Sequence, residues 1–354
     1  MQTIGRTVSL DYDRSQLNLW LYVMWFTIAL TGLSCVTALW GATLQQPQLQ
    51  RSERPAVEVV HWVRPRFMSQ FTAHDTSTLS VQFDPKGERL LTTSSNGSTR
   101  VWGRSGELLS EIRQGDHIVW FGQFSPSGEQ ILTATQDHRA RLWHWRGELL
   151  AEFKGHKDWV NSAVFSPDGQ NILTASSDGT VKLWNGKGQL IRELPQQGGI
   201  VWKAVFSPNG RFIATAGGDG VVRLWDRQGN VINQLRGHKD WVRDVVFSPD
   251  GRLLASASND GTARVWGLNG SLLAELRGHG GSVRRVLFSP DGRLVATTAQ
   301  DGTARIWNLA GQELARLDRH RDWVIGLAFS PDGRFLATSS ADQQVHIWDV
   351  SDVR

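Results

Sequence analysis

Seven tryptophans, Trp102, Trp143, Trp184, Trp225, Trp266, Trp307 and Trp348, follow one another at a constant step of 41 residues. A chain that repeats itself at such a period builds one small structural unit per repeat and stacks the units, because a four-stranded sheet of this size cannot bury both faces alone. Seven beats predict seven blades of a propeller.

The other landmarks keep the same step. Phe83, Phe124, Phe165, Phe206, Phe247, Phe288 and Phe329 each open a turn reading F-S-P-D-G or a close variant. Proline fixes φ and glycine tolerates φ > 0, so this segment ends one strand and reverses the chain. Asn96, Asp137, Asp178, Asp219, Asp260, Asp301 and Asp342 mark a second turn, usually followed by glycine, which is a strong hairpin signal. Four residues before each lies a hydroxyl, from Thr92 to Thr338, and the stretches between turns, such as Arg264-Val265-Trp266, suit strands better than helices.

These landmarks resemble the WD40 repeat over roughly residues 66–354. The resemblance implies an all-β, seven-bladed propeller and, in each complete blade, a structural tetrad of His, Ser/Thr, Asp and Trp. The matching residues are His156, Thr174, Asp178 and Trp184; His238, Ser256, Asp260 and Trp266; His279, Thr297, Asp301 and Trp307; and His320, Thr338, Asp342 and Trp348. Gly115 and Gln197 occupy the histidine position in two blades, and Asn96 replaces aspartate in the first, so weaker internal networks are expected there.

Ser/Thr, His and Asp within one unit also invite a hydrolase reading. A triad needs one activated nucleophile beside an oxyanion pocket, whereas this set recurs from blade to blade. No G-x-S-x-G elbow, phosphate loop, H-E-x-x-H or cysteine metal spacing accompanies it, and His61, His138, His144 and His346 form no recognisable metal set. The chain reads as noncatalytic, without cofactor or metal.

After Trp348 only Asp349 to Arg354 remain, too few for another outer strand. Residues 66–73 align in period with Ser271 to Gly278 and are expected to complete the last blade, since closure removes a free sheet edge. Ahead of them, after a tail of residues 1–16, residues 17–44 are mostly apolar, and no charge occurs from Ser15 to Gln50. About 20 apolar residues cross a bilayer as a helix, so this segment reads as one transmembrane anchor, with residues 45–65 as linker. A cleaved signal peptide is the alternative, but its apolar run is shorter and no A-x-A site follows here. Arg6 and Arg14 before the helix nearly balance Arg51 and Arg54 after it, and Arg14 lies nearer its helix end. That small bias favours an extracytoplasmic propeller. Cys35, the only cysteine, excludes an intrachain disulfide.

A net charge of +4 spread over 354 residues, with no dense basic run, argues against a nucleic-acid partner. The more informative residues precede each repeat phenylalanine. In WD40 proteins, positions four and six residues before it lie near the central opening of one face and often contact partners. Here the first set is Leu79, Trp120, Asn161, Trp202, Arg243, Arg284 and Ile325; the second is Ser77, Ile118, Trp159, Ile200, Trp241, Ser282 and Trp323. Tryptophan and arginine are the types enriched in binding hot spots. The contrary reading is that these rings only pack between blades, as the recurring His-Lys/Arg-Asp-Trp-Val around Trp159, Trp241 and Trp323 hints.

The sequence therefore predicts a single-pass membrane scaffold that binds a membrane-associated protein or peptide through Trp120, Trp202, Arg243, Arg284, Trp159, Trp241 and Trp323. The alternative is a receptor or enzyme for a small molecule at the central opening, which would need a nonrepeating polar cluster there.

Overall fold

A computed structural model describes residues 65–195 and 198–353. The tail, the apolar segment 17–44, nearly all of the linker, and Gln197 lie outside the described residues. Within them the chain forms 28 strands and no helix, arranged as seven four-stranded antiparallel sheets.

Local sequence explains each blade. In the third, Val160–Phe165, Asn171–Ser176, Val181–Asn185 and Leu190–Leu194 pair in chain order. The first hairpin closes where the Ser166 N–H donates to Asn171 O (2.8 Å) and the Gly169 N–H to Ser166 O (2.8 Å). Gly169 has φ 72°, a left-handed conformation that selects glycine at this turn.

The first strands of successive blades touch round a closed ring, with Val324–Phe329 meeting Thr78–Phe83. The core lies between blades. One cluster joins Val164, Leu173, Ala175 and Leu183 of the third blade to Ile213 and Trp225 of the fourth. Trp225, Trp266 and Trp307 are fully buried, and burying a large apolar side chain contributes roughly 1.5–3 kcal/mol. These inter-blade clusters, rather than any single sheet, hold the ring together.

The last blade is assembled from both ends of the described chain. Arg66–Thr72 pairs antiparallel with Gln344–Asp349, which continues to Phe335–Ser340 and Val324–Phe329. Phe67 packs edge-on against Trp348 (5.4 Å between ring centroids), while Phe71 lies 5.0 Å from Trp102 of the first blade. The same segment therefore fastens the seventh blade to the first.

The tetrads are internal to the blades. In the third, Thr174 Oγ1 receives the Trp184 Nε1–H (2.8 Å) and lies 2.7 Å from His156 Nε2, whose Nδ1 lies 2.9 Å from Asp178. The same geometry joins His238 to Ser256 and Asp260, His279 to Thr297 and Asp301, and His320 to Thr338 and Asp342. A hydroxyl serving two buried ring nitrogens is structural, since each group left unpaired would cost about 1–3 kcal/mol.

The departing blades are better connected than their sequences imply. In the first, His74 reaches Thr92 (2.8 Å) and Ser98 (2.8 Å), and Ser98 donates on to Asn96 (2.6 Å). In the second, Gln114 rather than Gly115 fills the histidine's place, accepting from Thr133 (2.9 Å). The turn aspartates Asp137 and Asp219 are held instead by Arg141 and Arg223, four residues further along. Weaker networks were expected because glycine has no side chain; the neighbouring residue and the arginines replace it.

Burial alone would raise the carboxyls of Asp178, Asp260, Asp301 and Asp342, but hydrogen bonds from histidine and backbone N–H groups hold all four well below the ordinary 3.8. Burial, reinforced by Arg100, lowers His74 to about 3; burial and the stacked His320, 3.8 Å away, lower His346 to about 4. Each of these groups binds protons more readily in the unfolded chain, so stability must fall as pH falls. The loss begins below the ordinary histidine value of 6.5, through His74 and His346, and steepens below 3.8 as the aspartates protonate. Urea midpoints measured between pH 7.5 and 4.5 should decline, and His346→Gln should flatten that decline; an unchanged slope would refute a role for this histidine.

Candidate functional site

In every blade the ladder between the first two strands slips by one residue at the same position. The skipped residues are Leu79, Trp120, Asn161, Trp202, Arg243, Arg284 and Ile325. A β-bulge leaves its extra residue out of the ladder and re-aims the side chain. All seven consequently line one cavity of about 450 Å³ at the mouth of the central channel. Of the residues two positions earlier, Ser77, Ile118 and Trp323 reach this cavity, whereas Trp159 and Trp241 lie outside its lining and pack against Trp120 and Trp202.

The tryptophans and arginines combine across blade boundaries. Trp120 lies 5.7 Å from Trp159, Trp202 lies 5.5 Å from Trp241, and the Arg284 guanidinium sits 5.3 Å over Trp323. Trp120, Trp202 and Arg284 follow one another at 82 residues, as do Trp159, Trp241 and Trp323. The true unit here is two blades. Packing between blades and exposure also prove compatible: Trp159, Trp241 and Trp323 remain 38%, 39% and 45% exposed.

Arg243 stacks between Trp202 (3.8 Å) and Trp241 (4.9 Å) and donates from Nε to Asn259 Oδ1 (2.8 Å). Burial, together with neighbouring Arg284, lowers its guanidinium to about 9, against a smaller opposing effect of Asp240. Burial and then Arg285 lower Arg284 as well. Both cations are short of compensating charge.

Behind the mouth, a second cavity of about 540 Å³ contains a group that the sequence reading missed: Phe121, Lys203, Asp244 and Arg285. They lie three residues before the repeat phenylalanine, where the other blades carry Ser80, Ser162 and Gly326. Lys203 Nζ lies 3.5 Å from the Phe121 ring centre and 4.0 Å from Asp244, which also faces Arg285 at 3.9 Å. Burial lowers Lys203 to about 7, with Asp244 opposing and Arg285 adding to the shift. Reading that aligned column would have exposed three charges among small and aromatic residues.

A closed ring of bulged blades whose unpaired residues converge on one opening is a seven-bladed β-propeller. Its repeats are WD40 repeats: residues 65–103, 107–144 and 147–185 match the WD domain, G-beta repeat family, and residues 200–354 match the family described as IFT122 first beta-propeller. Among curated proteins, none matches the chain. WD40 propellers commonly serve as protein-interaction scaffolds and are typically noncatalytic.

Proposed function

We propose that this protein is a membrane-anchored, noncatalytic scaffold that captures a protein or peptide on the mouth face and so supports assembly of a membrane complex. The observation that carries the reading is the set of exposed rings Trp159, Trp241 and Trp323, each braced from the preceding blade by Trp120, Trp202 or Arg284. A braced ring loses little conformational freedom when a partner covers it, and covering the exposed part of each tryptophan contributes on the order of 2 kcal/mol. The uncharged apolar segment 17–44 supports the anchor.

The test is co-purification of partners with the full-length protein in mild detergent, compared with two variants. One changes Trp120, Trp202, Arg243 and Arg284 to Ala; the other changes only the exposed Trp159, Trp241 and Trp323, whose removal should disturb folding least. A partner lost from both is expected. A partner retained by both would refute docking on this face and redirect attention to the membrane segment or the blade sides. A second reading, a small-molecule receptor at the central opening, is favoured by the nonrepeating Lys203, Asp244 and Arg285 group; absence of any partner would support it.

A further inference from the structure

We infer that the mouth of the channel is a carboxylate site that receives an acidic side chain of the docked peptide, a refinement that rests on the docking reading above. The mouth holds an excess of donors. Among the described residues, neither Arg243 nor Arg284 has a carboxylate within ion-pair distance, although Arg285 beside them shares Asp244 with Lys203. Arg284 Nε, Trp120 Nε1 and Trp202 Nε1 are buried and find no acceptor within the protein. An arginine fork and an indole N–H can only donate. Four donor groups drawn to one opening, the guanidiniums of Arg243 and Arg284 and the indoles of Trp120 and Trp202, call for an acceptor that carries negative charge.

Asp322 in the lining and Asp240 beside it both stay beyond ion-pair distance of Arg243 and Arg284, although Asp240 weakly opposes the lowering of Arg243. Asp240 accepts from the Trp241 N–H (2.6 Å) and Asp322 from the Trp323 N–H (2.7 Å), each fixing its own turn. A carboxylate entering from outside would accept the fork of Arg284 and the unpaired N–H groups, and would offset the repulsion between the two guanidiniums. Hydrogen bonds between ionised partners are about twice as strong as neutral ones, and the half-buried setting keeps water from competing. The arrangement favours a peptide over a free acid because the aromatic rings extend beyond the cavity. Trp159 and Trp241 stand outside the lining and would meet residues flanking the acidic one, whereas a small acid would leave them uncovered.

The experiment uses full-length protein in detergent and fluorescein-labelled nine-residue peptide pools with varied flanks, carrying Asp or Glu, Asn or Gln, or phosphoserine at the centre. Fluorescence polarisation should show the acidic pool binding about 10–100-fold more tightly than its amide counterpart, the range expected for a charge-assisted contact. Arg243→Gln/Arg284→Gln should abolish that preference. Should the double variant fail to fold, Arg284→Lys keeps the charge but loses the fork, and should give an intermediate loss. Equal binding of acidic and amide pools overturns the proposal. So does a preference for phosphoserine, or binding of glutarate without binding of any peptide pool. The two readings fail separately. A co-purified partner lost with Trp159, Trp241 and Trp323 but kept by Arg243→Gln/Arg284→Gln sinks the carboxylate site alone, and a partner kept by both sinks docking.

Discussion

A chain lacking residues 1–74 should fail to close its ring, whereas one lacking only residues 1–64 should fold. The difference is the strand Arg66–Thr72 and the two residues after it. The strand covers the edge of Gln344–Asp349, and Ala73, fully buried, donates its N–H to Gln343 O (3.0 Å). Phe67 and Phe71 lose their contacts with Trp348 and Trp102, and the first blade loses His74, leaving Thr92 and Ser98 without their ring partner. Together these losses are on the order of 5 kcal/mol, comparable with the whole stability of many domains. The ion pair of Arg66 with Asp349 adds little, because Arg66 is largely exposed. Thermal melting and gel filtration should show a lowered transition and self-association through the uncovered edge. A synthetic peptide of residues 65–74 should restore the transition. Melting within a few degrees of the longer chain would disprove closure by this segment.

Asp244→Ala should be the most damaging single substitution in the channel. The carboxylate is 1% exposed, faces Lys203 and Arg285, and accepts the N–H groups of Val245 (3.1 Å) and Val286 (3.2 Å). Removing it leaves Arg285 without its carboxylate and takes away the charge that opposes the lowering of Lys203, a loss of about 3–5 kcal/mol by the precedent of broken buried pairs. Adding Lys203→Met should recover part of that loss in urea denaturation, because the second change removes a buried amine that must otherwise give up its proton on folding. Lys203 also gives the intact protein a signature at high pH. Its folded value near 7 lies below the ordinary 10.5, so the unfolded chain holds more protons between them and stability should rise across that window. Lys203→Met should abolish that rise. No recovery in the double variant would mean that the cluster is held by packing rather than by charge.

The blades, the turns and the tetrads could be read directly because each depends on a residue type recurring at one step. The strand that closes the ring was legible for the same reason, as an orphan segment in phase with a missing one. What escaped has no fixed residue type. The WD40 resemblance already set Leu79, Trp120, Asn161, Trp202, Arg243, Arg284 and Ile325 near the central opening, but the bulge that turns each of them there is a property of backbone pairing and came from the three-dimensional ladder. Comparison at 41 residues also hides anything that repeats at twice that distance, as the positions of Trp120, Trp202 and Arg284 do. Gln114 was missed because substitution of function happened one residue away from substitution in sequence.

The two-blade unit meets an odd ring. Blades two and three, four and five, and six and seven each share one aromatic or cation-aromatic ledge, which leaves the first blade, with Ser77 and Leu79 at these positions, unmatched. An even ring built from such pairs would look the same after each turn by one unit, and a ligand could settle on it in several equivalent settings. Parity forbids that here. The smooth sector at the first blade acts as a keyway, so a partner seated on the three ledges has a single rotational registration relative to the seam where the chain closes.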